Sequence, residues 1–289
     1  MNTSKENLDE LRREIDRIDE SMHDLVMRRA DVAKRLRQAK GAGPTFRPER
    51  EAKVLRRLAA RHHGALPLAV MVRIWREMIG ANLCLQGPFT VAVADRPDQP
   101  GVWDVARDHY GSHATSMTLA SPAQVLSAVS DGEAMIGVLG LPRDDEEAPW
   151  WPTLAASTRG PRVVARLPFA GSGNARGERP QALAVALLEP EPTGQDRALV
   201  AIESKDELSR TRLTDLLARA GLSATVLAIA KRDAGSGAGQ LSLVEVNQFL
   251  KPGEQRLAAL DAAEPGGIAR TTVIGAYAEP LLTPEANSR

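Results

Sequence analysis

Residues 8–39, LDELRREIDRIDESMHDLVMRRADVAKRLRQA, decide the fold of the first part of this chain. Apolar residues recur there at alternating steps of three and four, which is the period of an amphipathic helix. These positions are Leu8, Leu11, Ile15, Ile18, Met22, Leu25, Val32, Leu36 and Ala39. One cation, Arg29, interrupts the apolar face. A buried guanidinium is tolerated only beside an anion, so we expect either a carboxylate of the protein or a carboxylated ligand to meet Arg29.

The helix-breaking residues 41–44 end this first helix, which is therefore roughly 50 Å long at 1.5 Å per residue. Two shorter helices are predicted over residues 48–63 and 67–86, where Pro48 suits a first helical turn. Both are too short to cover the apolar face of the first helix. The sequence therefore predicts a helical domain over residues 1–88 in which a partner chain supplies the remaining cover.

The third helix repeats the anomaly, because Asn82 interrupts a second apolar face. Asn82 and Gln86 stand four residues apart, so their amides are expected to project side by side. A buried hydrogen-bond network explains this pair as well as a ligand site does. Together with Arg29, these residues predict a polar pocket inside the helical region.

Other charged residues point to the same pocket. Arg29 and Lys40 are eleven positions apart, which places them within about 20° on one helix face and roughly 16 Å along it. Arg12 lies off that face and is better placed to serve a neighbouring chain. Glu51 falls on the inward face of the second helix, beside Arg50. A structural ion pair with Arg29 and a contact to ligand explain Glu51 equally well.

Composition narrows the possible functions. The chain has 289 residues, equal numbers of acidic and basic residues and one cysteine, which excludes a disulfide framework and a cysteine-cluster metal site. Residues 1–86 hold 18 Lys and Arg against 12 Asp and Glu, which suits a small anionic ligand rather than nucleic acid. The N-terminus lacks a signal pattern, and no long apolar run is present, so a cytoplasmic protein without a membrane span is expected.

The remaining residues predict a multi-domain α+β chain. Strands and helices alternate over residues 89–195, which indicates a small central α/β domain. Residues 196–289 follow the order βαββαβ of a ferredoxin-like module. The predicted strands of the central domain are 89–94, 117–120, 134–141 and 163–169, and its predicted helices are 102–110 and 121–132. The predicted strands of the last part are 198–204, 225–232, 241–249 and 270–277, and its predicted helices are 209–220 and 253–263.

The inward polar set contains cations, one carboxylate and two amides, without a Ser/His/Asp set or a metal-ligand cluster. Such a set can bind a dicarboxylate but offers little for nucleophilic or proton-transfer chemistry. A reaction that positioning and fixed electrostatics accelerate is therefore expected, with neither metal nor cofactor.

The motifs LRREIDRID at residues 11–19, RR at 28–29, Lys40, RPERE at 47–51 and IWREMI at 74–79 with Gln86 resemble the all-helical chorismate mutase family. The resemblance implies an intertwined homodimer that converts chorismate to prephenate in aromatic amino acid biosynthesis. Arg29 and the partner's Arg12 would hold the two carboxylates of chorismate. Lys40 and Gln86 would contact its ether oxygen. The other implied substrate contacts are Glu51 to the ring hydroxyl and Arg50 near a carboxylate, with Arg47 and Asn82 standing where relatives commonly have other residues.

Residues 89–289 resemble more distantly the prephenate dehydratase and ACT regulatory portions of bifunctional phenylalanine-pathway proteins, through GEAMIGV at 132–138 and VIGAY at 273–277. The Thr-Arg-Phe stretch of the dehydratase is replaced by ERPQA at 178–182, so loss of dehydration is expected. The motifs of the phenylalanine site are replaced as well, which leaves open whether the ACT-like domain binds any effector. Two alternatives remain open: an isochorismate pyruvate-lyase, and a non-catalytic dimeric regulator of the pathway.

Overall fold

The structure is a computed structural model that describes residues 3–41, 45–97, 99–144, 146–157, 159–171, 180–231, 239–263 and 267–281. It begins with three helices, as predicted: α1 (Thr3–Lys40), α2 (Pro48–Arg61) and α3 (Leu68–Cys84). Pro48 occupies the first turn of α2, where its missing N–H costs no hydrogen bond, and Glu49 and Glu51 favour the positive end of the helix dipole.

An α/β segment follows. Its elements are β1 (Thr90–Ala94), α4 (Val102–Tyr110), β2 (Thr115–Leu119), α5 (Pro122–Ser130), β3 (Ile136–Gly140), α6 (Trp151–Ala156), β4 (Arg162–Leu167) and β5 (Ala182–Ala186). The sequence patterns do not predict α6 or β5. Helix α6 has only six residues and contains Pro152, so it carries no helical period. All five residues of β5 are buried, and a strand buried on both faces lacks the alternation that marks a strand.

The last part has the βαββαβ order that the sequence predicts. Its elements are β6 (Asp196–Ser204), α7 (Arg210–Arg219), β7 (Ala224–Lys231), β8 (Gln240–Val246), α8 (Gln255–Ala263) and β9 (Ile268–Ala278). Helix α7 begins where the Ser209 hydroxyl accepts a hydrogen bond from the backbone N–H of Arg212, which is a typical N-cap.

The described strands form one nine-stranded sheet in the order β2-β1-β3-β5-β4-β9-β6-β8-β7. The two predicted α/β domains are joined within it, because β4 and β9 pair in parallel where Val163 lies opposite Gly275. A Cβ at position 275 would collide with the backbone of Val163, so only glycine permits this approach. The sheet is therefore continuous across the boundary expected between residues 195 and 196.

The helical region packs on this sheet through α2 and α3. Arg56 on α2 donates hydrogen bonds to Thr193 Oγ1 at 2.6 Å, to the Gln195 carbonyl at 2.5 Å and to the Glu279 carbonyl at 2.8 Å. On α3, Gly80 meets the backbone carbonyl of Tyr110 so closely that a Cβ would not fit. These contacts fix the α2–α3 hairpin against the α/β part, while α1 contacts α3 and is otherwise largely exposed.

Candidate functional site

The apolar face of α1 is exposed in the single chain. Leu25 is 64% exposed, Ile15 is 57% exposed, and the other large apolar residues of this face are similarly open. A continuous apolar stripe of this length marks an interaction surface in a protein that folds in water. The exposure agrees with the expectation of a covering partner chain, and that partner stays a prediction.

Arg29 lies half-buried on α1. Its Nη1 is shielded from solvent, and no described residue accepts a hydrogen bond from it. Burial lowers the pKa of the Arg29 guanidinium, because desolvation disfavours the charged form. A buried donor without an acceptor lowers the stability of a protein by about 1–3 kcal/mol. An anion that accepts a hydrogen bond from Nη1 would therefore bind favourably.

Glu51 does not pair with Arg29, and that alternative is wrong. The Glu51 carboxylate instead accepts a hydrogen bond from Nη1 of Arg76 on α3, at 2.8 Å. Both residues are buried. Desolvation raises the pKa of Glu51 to about 7, although the charge of Arg76 opposes this shift. Burial also lowers the pKa of Arg76.

Arg76 is not among the site residues predicted from the sequence, although its spacing carries a signal. Arg76 follows Val72 by four residues and precedes Ile79 by three, and Leu83 continues the same spacing; all four are buried. It therefore interrupts a second apolar face of α3, just as Arg29 interrupts the face of α1. This face of α3 is separate from the apolar face that Asn82 interrupts.

Arg47 and Arg50, the two arginines of the RPERE motif, have different surroundings. Arg47 contacts Glu49 at 2.7 Å and Glu191 of the α/β part at 3.2 Å, and these carboxylates raise the pKa of Arg47. Arg50 is exposed. Arg47 is therefore directed toward carboxylates of its own chain, whereas Arg50 remains open to solvent.

The amides of Asn82 and Gln86 each bond to the backbone one turn earlier. Asn82 Nδ2 donates to the Met78 carbonyl at 2.6 Å, and Gln86 Nε2 donates to the Asn82 carbonyl at 2.9 Å. Asn82 Oδ1 is buried and meets no donor among the described residues. Arg29 on α1 and Asn82 on α3 thus each keep one buried polar atom without a hydrogen-bond partner among the described residues.

The remaining two predicted residues lie on α1. Arg12 is exposed and pairs with Asp9 at 3.3 Å within the same helix. Lys40 is the last residue of α1, and its side chain lies outside the described residues. The structure thus leaves Arg12 accessible to a second chain and does not test the role of Lys40.

The raised pKa of Glu51 predicts an unusual pH dependence of stability. Between its ordinary value and about 7, the folded chain keeps this proton while the unfolded chain releases it. Stability must therefore fall as pH rises through this window, by up to about 1.4 kcal/mol per pH unit from this group. We expect Glu51→Gln to remove this component, measured by urea unfolding from pH 5 to 8. An identical pH slope in both proteins would contradict the assignment.

Among the described helices, none combines the length and apolar character needed to cross a membrane.

Comparisons with known proteins identify the helical region. Residues 11–87 match the family model of chorismate mutase type II, so this segment is a domain of that type. A bifunctional chorismate mutase/prephenate dehydratase of Pseudomonas aeruginosa is 32% identical over 151 residues, which are 50% of this chain and 41% of the relative. The chain therefore spans about two fifths of the length of that relative.

Two solved structures resemble the larger part of the chain. One is GqqA, described as a novel type of quorum quenching acylase, with 15% identity, a TM-score of 0.48, and coverage of 68% of this chain and 97% of its own. The other is a prephenate dehydratase from Streptococcus mutans, with 14% identity, a TM-score of 0.44, and coverage of 67% of this chain and 100% of its own.

Proposed function

We propose that this protein is a chorismate mutase that converts chorismate to prephenate by a concerted [3,3] rearrangement. The observation that carries the proposal is the Arg29 guanidinium, which is half-buried, lacks an acceptor for Nη1 among the described residues and lies inside the matched segment. Chorismate bears two carboxylates, and a fixed arginine fork is the side chain that best recognises a carboxylate.

The proposed mechanism uses fixed charge and positioning alone. Arg29 and the partner's Arg12 hold the two carboxylates, so the flexible substrate is kept in its compact reactive conformer. Lys40 and Gln86 donate hydrogen bonds to the ether oxygen, on which negative charge grows as its bond breaks. A hydrogen bond raises the rate when it is stronger in the transition state than in the bound substrate.

Glu51, Arg50, Arg47 and Asn82 complete the proposed substrate site. Glu51 would meet the ring hydroxyl, and its pKa of about 7 lets it donate or accept this hydrogen bond near neutral pH. Arg50 is exposed and can move to a substrate carboxylate. Asn82 Oδ1 offers a buried acceptor. Arg47 acts less directly, because its contacts to Glu49 and Glu191 occupy it.

The first experiment is an assay of the purified chain with chorismate and, separately, with isochorismate. Loss of chorismate absorbance with formation of prephenate supports the proposal. Turnover of isochorismate alone, with release of pyruvate, would instead support the alternative of an isochorismate pyruvate-lyase. Stable protein without turnover of either compound would favour a non-catalytic regulator of the pathway.

The exposed face of α1 predicts that a homodimer is required for activity. Ile15→Glu places a charge in this apolar face, so we expect a monomer by sedimentation and at least about tenfold lower turnover of chorismate. Asp16→Ser is the matched control, because it changes a neighbouring exposed residue outside the apolar face. A dimeric and fully active Ile15→Glu variant would contradict the proposed interface.

We further propose that the α/β part has lost dehydratase activity and that its βαββαβ end is an ACT-like regulatory domain open to a small-molecule effector. The replacement of Thr-Arg-Phe by residues 178–182 supports the first proposal, and the sheet order β9-β6-β8-β7 supports the second. Formation of phenylpyruvate from prephenate above background would refute the proposed loss of dehydratase activity. A cytoplasmic location fits such a biosynthetic role.

A further inference from the structure

A cavity of about 1230 Å³ lies between the α2–α3 hairpin and the sheet. Residues of the α2–α3 connection and α3 form one wall, α4 contributes a second, and residues of the sheet and of the segments after β4 and β9 form the third. We name this space the interdomain cavity. None of its described lining residues belongs to α1, so it is distinct from the proposed groove around Arg29. Its volume is sufficient for a small organic ligand, since such sites typically measure about 300–1,000 Å³.

The sheet wall of the interdomain cavity is charged but internally neutralised. The buried Glu245 accepts one hydrogen bond from Arg166 and one from Arg197, each at 2.7 Å. Arg197 also contacts Glu279 at 2.6 Å. These arginines are therefore held by carboxylates of their own sheet, and this wall contributes polarity and shape rather than an unmet charge.

Arg76 on the opposite wall is different. Arg76 is only 4% exposed, and its Nη1 donates a hydrogen bond to the Glu51 carboxylate. Its Nε–H meets no acceptor among the described residues. The charge lies 5.3 Å from the centre of the Phe169 ring, which attracts a cation but accepts no strong hydrogen bond. A buried guanidinium with an unmet donor is a site that a ligand anion would stabilise.

Apolar side chains share the cavity with Arg76, beside the Arg73–Asp108 ion pair and His109. Val72 of α3, Leu167 at the end of β4 and Phe169 line the same space as Arg76. An apolar ligand body would gain free energy by leaving water for these side chains, while its anionic end meets the guanidinium. A carboxylate fits better than a point anion, because its two oxygens match two parallel N–H donors of an arginine.

We propose that the interdomain cavity binds a small organic carboxylate with an apolar body, whose carboxylate accepts a hydrogen bond from Arg76. The ligand shares Arg76 with Glu51, so the two carboxylates compete for one guanidinium. Removal of the Glu51 charge should therefore strengthen binding, whereas removal of the Arg76 donor should weaken it.

The test is calorimetric titration of the full chain with isocaproate and with isohexanol, which has the same apolar body but no charge. We expect isocaproate to bind at least about tenfold more tightly than isohexanol. Arg76→Lys keeps the charge but loses the Nε–H, so isocaproate should bind about tenfold more weakly. Glu51→Gln should bind it more tightly than the unaltered chain. Ala69→Trp, which places a large side chain on the wall of the cavity and leaves Arg76 in place, should weaken binding.

Arg29→Ala is the matched control, because it removes the other unmet arginine and lies outside the cavity. It should bind isocaproate as the unaltered chain does. The proposal is overturned if isocaproate does not bind, if isohexanol binds equally well, or if Arg29→Ala loses binding while Ala69→Trp and Arg76→Lys retain it. These outcomes do not depend on turnover of chorismate, so they separate this site from the proposed activity.

Discussion

Arg29→Ala and Lys40→Ala are each expected to lower kcat/KM for chorismate by about 10²–10³-fold, the usual loss when one preorganised donor is removed from a transition state. Arg29 has no described acceptor for Nη1, so the substrate is its proposed partner. Lys40 is expected to act on the ether oxygen and should therefore lower kcat itself. The measurement is the disappearance of chorismate absorbance over a range of substrate concentrations.

The control for these variants is Arg35→Ala, which removes an exposed cation from the same helix. It should change kcat/KM by less than about twofold, because an exposed charge is screened by solvent. Arg29→Lys separates charge from geometry, since lysine keeps the charge but cannot hold a carboxylate with two parallel donors. Full activity in Arg29→Ala would remove the basis of the proposed site.

Arg76→Met is expected to lower the free energy of unfolding by about 3–5 kcal/mol at pH 8, which is the typical cost of breaking a buried ion pair. Both partners are buried, and at this pH Glu51 would have to stay charged without a counterion or bind a proton. Urea unfolding of the two proteins measures this difference.

Arg73→Met is the matched control for Arg76→Met, because it removes an arginine of the same helix from a more exposed ion pair with Asp108. Its cost should be about 0–1 kcal/mol. The double variant Glu51→Leu with Arg76→Met should recover much of the lost stability, since it removes both buried charges together. Equal costs for Arg73→Met and Arg76→Met would show that burial does not set the strength of the Glu51 pair.

The Glu51–Arg76 ion pair contributes to stability and also adjoins both proposed binding sites. Glu51 belongs to the proposed substrate site, while Arg76 also lines the interdomain cavity. Arg56 on α2 and Arg47, which caps the start of α2, contact the α/β part through Thr193 and Glu191. The helical domain is thus attached to the sheet by the helix that carries Arg50 and Glu51.

Local sequence patterns determined much of the architecture. The three helices follow from apolar spacing and from the breaks at residues 41–44 and 62–67, because helical period and chain-breaking residues act over a few positions. The βαββαβ order was equally readable from strand and helix patterns. The Arg29 anomaly was visible for the same reason, since a cation in an apolar face violates a local rule.

Only the tertiary structure decided which distant residues meet. The joining of β4 to β9 depends on the close approach of Gly275 to Val163, which no local pattern encodes. The partner of Glu51 is Arg76 rather than Arg29, because the packing of α2 on α3 brings together residues 25 positions apart. Burial then sets their pKa values, since the desolvation of a charge depends on every element that packs around it.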